Sequence, residues 1–316
     1  MNNRIMVIGG INADITGFSR EPLVHNDSNP GRIEISAGGV GRNIGENLIR
    51  TGFEVSIATA FAKDPMGFFL MESCKNIGMD TSCSKIFDYG SRSSIYLSVV
   101  DADGEMETAV SDMEIFENLS TSDIKLSHEK LEEADFIVMD SNVSVEIIEF
   151  VMKKYKHKHI VFDPVSTSKA GKLDGINWSA EILKPNILEA EIISGISMDS
   201  FEKTIEGLKR INDLGICWVL MTDGANGAWL SGKGRVYRCP AFLGGKKNVN
   251  GAGDAFLAGA VYGRSNSRFE TDMLYYGHAA ASIAMESSKT VNPEMSVETL
   301  DKRMEELKRC LKVEEL

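Results

Sequence analysis

Short apolar runs alternate with amphipathic stretches along most of the chain. Residues 4–10 are almost continuously apolar, which is typical of a central strand in a parallel sheet. From residue 136 onward, runs of strand length alternate with segments of helical periodicity. This alternation predicts an α/β fold with a mostly parallel central sheet and helices on both faces. After the first strand, the predicted strands are 55–60, 136–140, 159–163, 182–184 and 218–222. The predicted helices are 66–77, 145–155, 186–194, 201–214, 254–263, 272–285 and 297–311.

Two segments carry hairpin features instead. Residues 13–37 contain many turn formers and two short alternating pieces. Residues 91–112 contain two alternating runs around Asp101-Ala102-Asp103-Gly104, a strong hairpin signal. We expect both segments to form a small β-sheet lid of the kind that excludes water from a reaction, within a single domain spanning 1–316. Exposed lid edges favour pairing with a second subunit, and therefore a homodimer.

Composition narrows the classes of partner. The chain has 316 residues, and its formal net charge of −12 argues against nucleic acid or an anionic membrane as the main partner. The five cysteines are widely spaced and form no Cys-x-x-Cys motif, which favours the reducing cytoplasm over a disulfide framework or a zinc site. The first apolar run is too short for a signal peptide, and no run approaches the roughly 20 apolar residues of a membrane span.

The candidate chemistry centres on residues 248–256, which read Asn-Val-Asn-Gly-Ala-Gly-Asp-Ala-Phe. Gly251 and Gly253 predict a tight turn that opens a buried helix, where backbone N–H groups and the helix dipole favour an anion. The missing side chains would let a phosphate approach the backbone. Asp254 follows directly, and a carboxylate beside a phosphate is explained if it accepts the proton of an attacking hydroxyl. The alternative is that Asp254 only caps a core helix.

Other polar residues lie near the expected carboxyl edge of the sheet. Asn12 and Asp14 follow the first strand and could hold hydroxyl groups, although turn chemistry explains them as well. Residues 36–43 are glycine-rich, so their backbone could approach a ligand and Asn43 could reach it; a structural turn is the alternative. The first turn lacks Gly-x-Gly-x-x-Gly and the chain lacks Gly-Lys-Ser/Thr, which argues against an NAD-dependent oxidoreductase and a P-loop enzyme.

Four motifs in the same order resemble those of the ribokinase, or PfkB-type, carbohydrate kinases over nearly the whole chain. Gly38-Gly39 with Asn43 is similar to the N-terminal signature of that family. Asn186-Ile187-Leu188-Glu189 matches Asn-x-x-Glu, residues 222–227 resemble the Thr-x-Gly-x-x-Gly nucleotide loop, and residues 248–254 resemble Asp-Thr-x-Gly-Ala-Gly-Asp. The resemblance implies a ribokinase-like three-layer sandwich and an ATP- and Mg²⁺-dependent kinase that phosphorylates a primary hydroxyl of a sugar or nucleoside.

The resemblance also assigns roles to single residues. Asp254 would be the base, and the anion hole would be formed by the amides of Gly251, Ala252 and Gly253. Lys169 would contact a base carbonyl of the acceptor, unless it is a surface lysine, and Glu189 would organise Mg²⁺ through water. The hydroxyl groups of the acceptor would be held by Asn12, Asp14, Gly38, Gly39 and Asn43. The nucleotide would be bound by Asn186, Thr222, Gly224, Gly227, Asn248 and His278, although apolar packing explains the helix around His278 equally well.

Within the family, residues 27–31, 38–48 and 163–169 resemble the pseudouridine kinases, which implies the 5′-hydroxyl of pseudouridine as the acceptor. Ribokinase or another nucleoside kinase is the alternative within the class. A non-catalytic nucleotide-binding regulator on the same fold is the alternative outside it, and the retained Asp254 and Glu189 argue against that regulator. Asn248-Val249 replaces the usual Asp-Thr of the C-terminal signature. This removes a charge and a hydroxyl, so the K⁺ site of many family members is left open.

Overall fold

Strands and helices alternate throughout the computed structural model, which describes residues 3–88, 90–242, 249–267 and 269–316. Within these ranges the strands are β1 Arg4–Ile8, β2 Asn12–Ser19, β3 Gly31–Gly38, β4 Glu54–Ala58, β5 Ala60–Ala62, β6 Lys85–Phe87, β7 Ile95–Val100, β8 Met106–Asp112, β9 Phe136–Asp140, β10 His159–Asp163, β11 Ile182–Leu183, β12 Trp218–Thr222, β13 Ala228–Gly232, β14 Arg235–Cys239 and β15 Glu314–Glu315. The helices are α1 Val40–Arg50, α2 Pro65–Asn76, α3 Thr121–Lys125, α4 His128–Glu133, α5 Val145–Lys154, α6 Thr167–Ala170, α7 Ile187–Ser194, α8 Phe201–Asp213, α9 Ala252–Asn266, α10 Asp272–Met285 and α11 Val297–Cys310.

A nine-stranded sheet forms the centre of the protein, in the order β15-β14-β13-β12-β11-β10-β9-β1-β4. The six strands from β12 to β4 run parallel, and β13, β14 and β15 are antiparallel. β1, β9 and β10 are almost entirely buried, because their side chains are apolar toward both faces. Parallel strands place their carboxyl ends along one edge of the sheet, which is where α/β proteins bind ligands.

Helices cover both faces of this sheet, so the predicted three-layer α/β sandwich is confirmed. α1, α9, α10 and α11 pack side by side in one layer. α9 and α10 are buried along most of their length, whereas α11 buries only one stripe of side chains. The contact between α1 and α9 brings the glycine-rich segment before α1 close to the glycine turn before α9.

A second, four-stranded sheet has the order β3-β2-β7-β8. β2 pairs antiparallel with β3 and parallel with β7, and β7 pairs antiparallel with β8. The two segments with hairpin features therefore meet in one small sheet. β2 begins at Asn12 and β3 ends at Gly38, so residues expected to bind the acceptor lie where this sheet joins the main domain.

The prediction of one continuous strand over residues 55–60 is wrong. β4 ends at Ala58, and the chain continues after Thr59 as β5, which pairs with β6 in a separate two-stranded sheet. Thr59 accepts a hydrogen bond through its carbonyl from the N–H of Lys85 at 2.8 Å. The apolar pattern continues past Ala58, but the pairing of β5 with β6, which is distant in sequence, directs the chain into a different sheet. None of the helices in the described ranges is long and apolar enough to cross a membrane.

Candidate active site

The glycine turn before α9 has the backbone geometry that the sequence predicts. Gly251 lies in the left-handed region, with φ 76° and ψ −3°, and a Cβ there would lie 2.2 Å from the carbonyl oxygen of Thr290. Only glycine fits such a position. The N–H of Ala252 forms a long hydrogen bond of 3.3 Å to the carbonyl of Val249, so that amide is partly engaged. The next N–H groups of the first helical turn have no acceptor within the helix, which leaves them suited to an anion.

Asp254 is the third residue of α9, and Asn43 of α1 contacts it directly. Asn43 Nδ2 donates to Asp254 Oδ2 at 3.0 Å. Burial of the carboxyl group and the nearby charge of Asp163 raise the pKa of Asp254 to about 7, against the opposing effects of Asn43 and Lys184. A carboxyl group with a pKa near neutrality is matched to proton transfer at physiological pH.

A buried lysine lies beside the turn, and the sequence reasoning did not single it out. Lys184 follows β11, and its Nζ lies 2.8 Å from Asp163 Oδ2. A Cβ placed on Gly253 would lie 3.2 Å from the same Nζ. Burial by itself lowers the pKa of Lys184, but Asp163, Asp254 and Glu189 outweigh it, so the pKa is raised. The lysine therefore places a permanent positive charge against the predicted anion hole.

Two further acidic residues at this edge end buried strands. Asp163 ends β10, and its Oδ1 accepts a hydrogen bond from the N–H of Val165 at 2.7 Å. Asp140 ends β9, and its Oδ2 accepts from the N–H of Gly10 at 2.8 Å. Burial raises the pKa of Asp140, although the backbone N–H groups of Gly10 and Asn142, which donate to its carboxylate, oppose it. The signal that could have identified Asp140, Asp163 and Lys184 is their position: each is a charged residue at or just after the end of an apolar strand.

The residues predicted to hold acceptor hydroxyl groups come together at the start of α1. Asn12 Nδ2 donates to Asp14 Oδ1 at 2.5 Å, and burial raises the pKa of Asp14 in spite of that bond. A Cβ on Gly38 would lie 2.0 Å from Asp14 Oδ2, so the carboxylate occupies the space that a side chain would need. Gly39 is the N-cap residue of α1 and has a φ of 101°. Asn43 lies one helical turn later, and its side chain contacts Asp254.

Lys169 is partly buried and has a defined partner. Its Nζ donates to the side-chain oxygen of Asn142. Burial lowers the pKa of Lys169, and the nearby Asp140 opposes this. The amide nitrogen of Asn142 lies 2.5 Å from the place that a Cβ on Gly10 would take, so Asn142 packs against the backbone after β1. Lys169 is therefore not a fully solvated surface lysine. Its contact with a base of the acceptor stays a prediction.

The two residues of the Asn-x-x-Glu motif bind each other at the start of α7. The Asn186 side chain accepts from the N–H of Glu189 at 2.9 Å, and Glu189 Oε2 accepts from the N–H of Asn186 at 2.9 Å. This is a capping box, so helix α7 begins at Ile187 and Asn186 is its N-cap residue. Burial raises the pKa of Glu189, against the Asn186 donor. The motif therefore has a structural role in addition to any contact with a ligand.

The predicted nucleotide loop follows β12. Thr222 forms a parallel bridge with Asn186, which places the two motifs side by side. Gly224 and Gly227 have φ values of 50° and 102°, and a Cβ on Gly227 would lie 2.1 Å from the carbonyl oxygen of Cys239. No described atom lies within 4 Å of a Cβ placed on Gly224, so this part of the loop is open to a ligand.

His278 lies in α10, with its ring edge-on to Phe256 of α9 at a centroid distance of 5.3 Å. Burial lowers the pKa of His278 to about 4, although a hydrogen bond to the Cys239 backbone opposes it. Its Nε2 is buried and has no hydrogen-bond partner within the described part of the chain. Asn248, the remaining residue expected at the nucleotide, lies outside the described residues.

Within the described ranges, no three His, Cys, Asp or Glu side chains are arranged so that they could hold a metal ion by themselves. Glu189 is the acidic residue beside the Asn-x-x-Glu and nucleotide loops, and one of its oxygens is taken by the capping box. A single carboxylate suits Mg²⁺, which keeps several waters and is held largely by substrate phosphates. The residues present therefore fit a magnesium ion that enters with the nucleotide.

This edge of the sheet combines a glycine turn suited to an anion with a carboxyl group whose pKa lies near neutrality, which is the arrangement expected of an α/β phosphotransferase. The sequence matches the family model described as pfkB family carbohydrate kinase over residues 2–296. The chain belongs to this family of sugar and nucleoside kinases, whose acceptor is an alcohol group.

Individual relatives make the comparison more specific. The pseudouridine kinase of Escherichia coli is 31% identical, with coverage of 93% of this chain and 94% of that protein. A putative sugar kinase from Clostridium perfringens matches with a TM-score of 0.85 at 31% identity, covering 99% of this chain and 97% of that one. The ribokinase of Arabidopsis thaliana, solved with ribose and ATP, matches with a TM-score of 0.80 at 18% identity, covering 95% and 98%. These likenesses confirm the ribokinase-like fold.

Proposed function

We propose that this protein transfers the γ-phosphoryl group of ATP to the 5′-hydroxyl of pseudouridine. The observation that carries the proposal is the pairing of Asp254, with a pKa near 7, and the glycine turn at the start of α9. The similarity to the Escherichia coli pseudouridine kinase supports this acceptor over other nucleosides. Ribokinase or another sugar or nucleoside kinase is the alternative, because the residues that would read the base are few.

In the proposed reaction the acceptor hydroxyl gives its proton to the carboxylate of Asp254. Its oxygen attacks the γ-phosphorus, and the bond from that phosphorus to the β-phosphate oxygen breaks to release ADP. The N–H groups of Gly253 and its neighbours and the ammonium of Lys184 stabilise the negative charge that develops on the transferred group. Asn12, Asp14 and Asn43 orient the sugar hydroxyls so that the reacting oxygen meets the phosphorus in line.

In this proposal the nucleotide binds beside the loop after β12. The open backbone at Gly224 would suit a phosphate group, and Nε2 of His278, which has no partner among the described residues, would suit the adenine. Mg²⁺ would neutralise charge on the β- and γ-phosphates, with Glu189 holding it through water. K⁺ is the one further ion that the family resemblance leaves open. We further propose that the enzyme acts in the cytoplasm, since all five cysteines are free.

An acceptor screen tests the substrate. Purified protein with ATP and Mg²⁺ is offered pseudouridine, uridine, adenosine, ribose and fructose 6-phosphate, with and without K⁺, and ADP formation is measured. We expect the highest kcat/KM with pseudouridine and a 5′-phosphate as the product. A higher kcat/KM with ribose or another nucleoside would show that pseudouridine is not the preferred acceptor, while the protein would still be a kinase of this class. ATP binding without turnover of any acceptor would favour the alternative of a non-catalytic nucleotide-binding regulator.

The role of Asp254 is tested by Asp254→Asn, which keeps the size of the side chain and removes the base. We expect kcat to fall by about 10³-fold or more, because general-base catalysis contributes on this order. The dissociation constant for ATP, measured by calorimetry, should stay within a few-fold of the wild-type value. Unchanged turnover in Asp254→Asn would show that Asp254 is not the catalytic base.

We also propose that the four-stranded sheet acts as a lid and joins two copies of the chain. β3 and β8 are its edge strands, and both are open to pairing. Ile35, Ile15, Leu97 and Val110 are consecutive register partners across all four strands, so they share one face. Ile35, Leu97 and Val110 are exposed, at 44–63% of their full area. An exposed apolar row of this kind favours association with a matching surface.

A further inference from the structure

A chain of buried polar contacts runs along α1 toward the candidate base. Arg42 and Glu46 are both buried, and Arg42 Nη2 lies 2.9 Å from Glu46 Oε2. Arg42 Nη2 also donates to Ser73 Oγ at 3.1 Å. The other carboxylate oxygen of Glu46 lies 2.7 Å from Arg50 Nη2. The guanidinium of Arg42 is therefore anchored inside the protein by an acid on its own helix and a hydroxyl on α2.

The other arm of this guanidinium meets the amide that contacts the base. Arg42 Nη1 donates to Asn43 Oδ1 at 3.3 Å, and Asn43 Nδ2 donates to Asp254 Oδ2 at 3.0 Å. An arginine side chain has only donors, whereas an amide accepts through its oxygen and donates through its nitrogen. Arg42 therefore requires the oxygen of Asn43 to face it, and this directs the NH₂ group of Asn43 at the carboxylate.

We propose that Arg42 is a positioning residue for the catalytic base, because it holds the Asn43 amide in the orientation that keeps a donor on Asp254. The inference rests on the proposed function, in which Asp254 accepts the proton of the acceptor. Without Arg42, the amide is free to rotate about its last bond and turn its oxygen toward the carboxylate. Exchange of a donor for an acceptor destabilises the ionised carboxylate, so less of the base is available at neutral pH.

Other charged groups also face Asp254 and must be kept constant in a test. Asp163 and Asp140 raise its pKa, and Lys184 lowers it. Substitution of Arg42 leaves all three in place. The positive charge of Arg42 itself would also favour the ionised carboxylate, so an experiment has to separate the loss of that charge from the loss of amide orientation.

The first measurement is the pKa of the Asp254 carboxyl group. Its ¹³C NMR signal is titrated in the full-length chain and is assigned by its absence in Asp254→Asn. In Arg42→Met we expect this pKa and the acid limb of kcat/KM to rise together by about one unit. Activity lost at acidic pH should then be regained at alkaline pH. An unchanged pKa, with activity lowered equally at every pH, would show a purely structural role and overturn the proposal.

The second measurement is a double-mutant cycle with Asn43→Ala. If Arg42 acts through the amide, the shift caused by Arg42→Met should be much smaller once Asn43 is alanine, because only the loss of its charge remains. If the same shift persists there, Arg42 acts through its charge alone and the proposal is wrong. Arg42→Lys keeps the charge but lacks the fork that reaches both Glu46 and Asn43, so we expect it to shift the pKa as well. It also serves as the test variant if Arg42→Met does not fold.

Arg50→Met is the matched control, because it removes the other partner of Glu46 and leaves the Asn43 amide untouched. It should leave the pKa of Asp254 at its wild-type value, and a shift equal to that of Arg42→Met would overturn the proposal. The titration does not depend on turnover. A wild-type chain without kinase activity would therefore refute the proposed function separately from the role of Arg42.

Discussion

At the scale of single residues, the carboxyl edge of the sheet holds several ionisable groups that the fold has partly or wholly removed from water. Asp254 carries a pKa raised to about 7, and the pKa of Lys184 is raised because the charges of Asp163, Asp254 and Glu189 outweigh the effect of its burial. Groups in such states cluster at functional sites because chemistry requires reactivity that a solvated side chain lacks. The ionised form of Asp254 also reduces stability, because its pKa is raised in the folded state, so function and stability make opposite demands on this residue.

Asp254→Asn should therefore stabilise the protein at mildly alkaline pH while it abolishes turnover. The folded wild type keeps the proton of Asp254 up to about pH 7, whereas an unfolded aspartate releases it near about pH 4. Between these values the folded state holds more protons, so wild-type stability falls as pH rises, by at most about 4 kcal/mol. Asparagine has no such proton. Thermal unfolding across pH should show equal stability at about pH 4 and a more stable variant above about pH 7.

Asp64 provides the control of opposite sign. It caps α2, and although burial alone would raise its pKa, hydrogen bonds from Gly67 and Ser93 leave the pKa lowered. Asp64→Asn should therefore reduce stability by about 1 kcal/mol at neutral pH, where the charged cap contributes most. A stabilising effect of both asparagine variants would contradict the argument from burial.

At the scale of elements, the start of α9 decides whether an anion site exists. The left-handed residue Gly251 turns the chain into the helix, and a side chain there would collide with Thr290. Gly253 has no such conformational requirement, but a side chain there would press on Lys184. The two glycines therefore have different functions: the first permits the turn, and the second keeps the space above the amides open.

Three alanine variants separate these functions. Gly251→Ala should lose about 2 kcal/mol or more, because it adds a steric clash to the cost of a positive φ. Gly78→Ala is the control, since Gly78 has φ 78° but open space around it, and it should lose only about 1 kcal/mol. Gly253→Ala should keep its stability and lose turnover. Urea unfolding and initial rates measure both effects, and equal losses in all three variants would contradict the assignment.

At the scale of the whole molecule, the small sheet is joined to the carboxyl edge of the main sheet at Asn12 and Gly38. Movement of this sheet would carry with it the residues proposed to bind the acceptor. The apolar row across its four strands exposes hydrophobic area to water, and burial of that area against another surface is favourable. The proposed closure over the site and the proposed association with a second copy therefore involve the same small sheet.

Leu97→Asp with Val110→Asp should convert a dimer into a monomer in sedimentation or light-scattering measurements, because two carboxylates replace the centre of the apolar row. Leu126→Asp is the control, since Leu126 is 86% exposed elsewhere on the chain. An unchanged mass together with a raised KM for the acceptor would show that this face covers the acceptor within one chain, and the dimer proposal would be wrong.

Much of the layout could be predicted from local patterns, because strand and helix periodicity depend mainly on which side chains are buried. Strands such as Phe136–Asp140 and Trp218–Thr222 have the predicted bounds. The break at Thr59 could not be predicted, because the pairing of β5 with β6 depends on a partner 25 residues away in sequence. Apolar alternation indicates that a segment is buried and does not indicate which strand it pairs with.

The sequence by itself determined the family, because its motifs, among them the glycines at 251 and 253 followed directly by an acid, are set by the local order of residues. Only the tertiary structure decided how the carboxyl group of Asp254, the proposed base, is tuned. Asn43, Asp163 and Lys184 reach Asp254 from three other elements. Their effect on its pKa depends on distance and burial, because electrostatic interactions strengthen as water is excluded. No local pattern contains those quantities, so the protonation state of the site is a property of the fold.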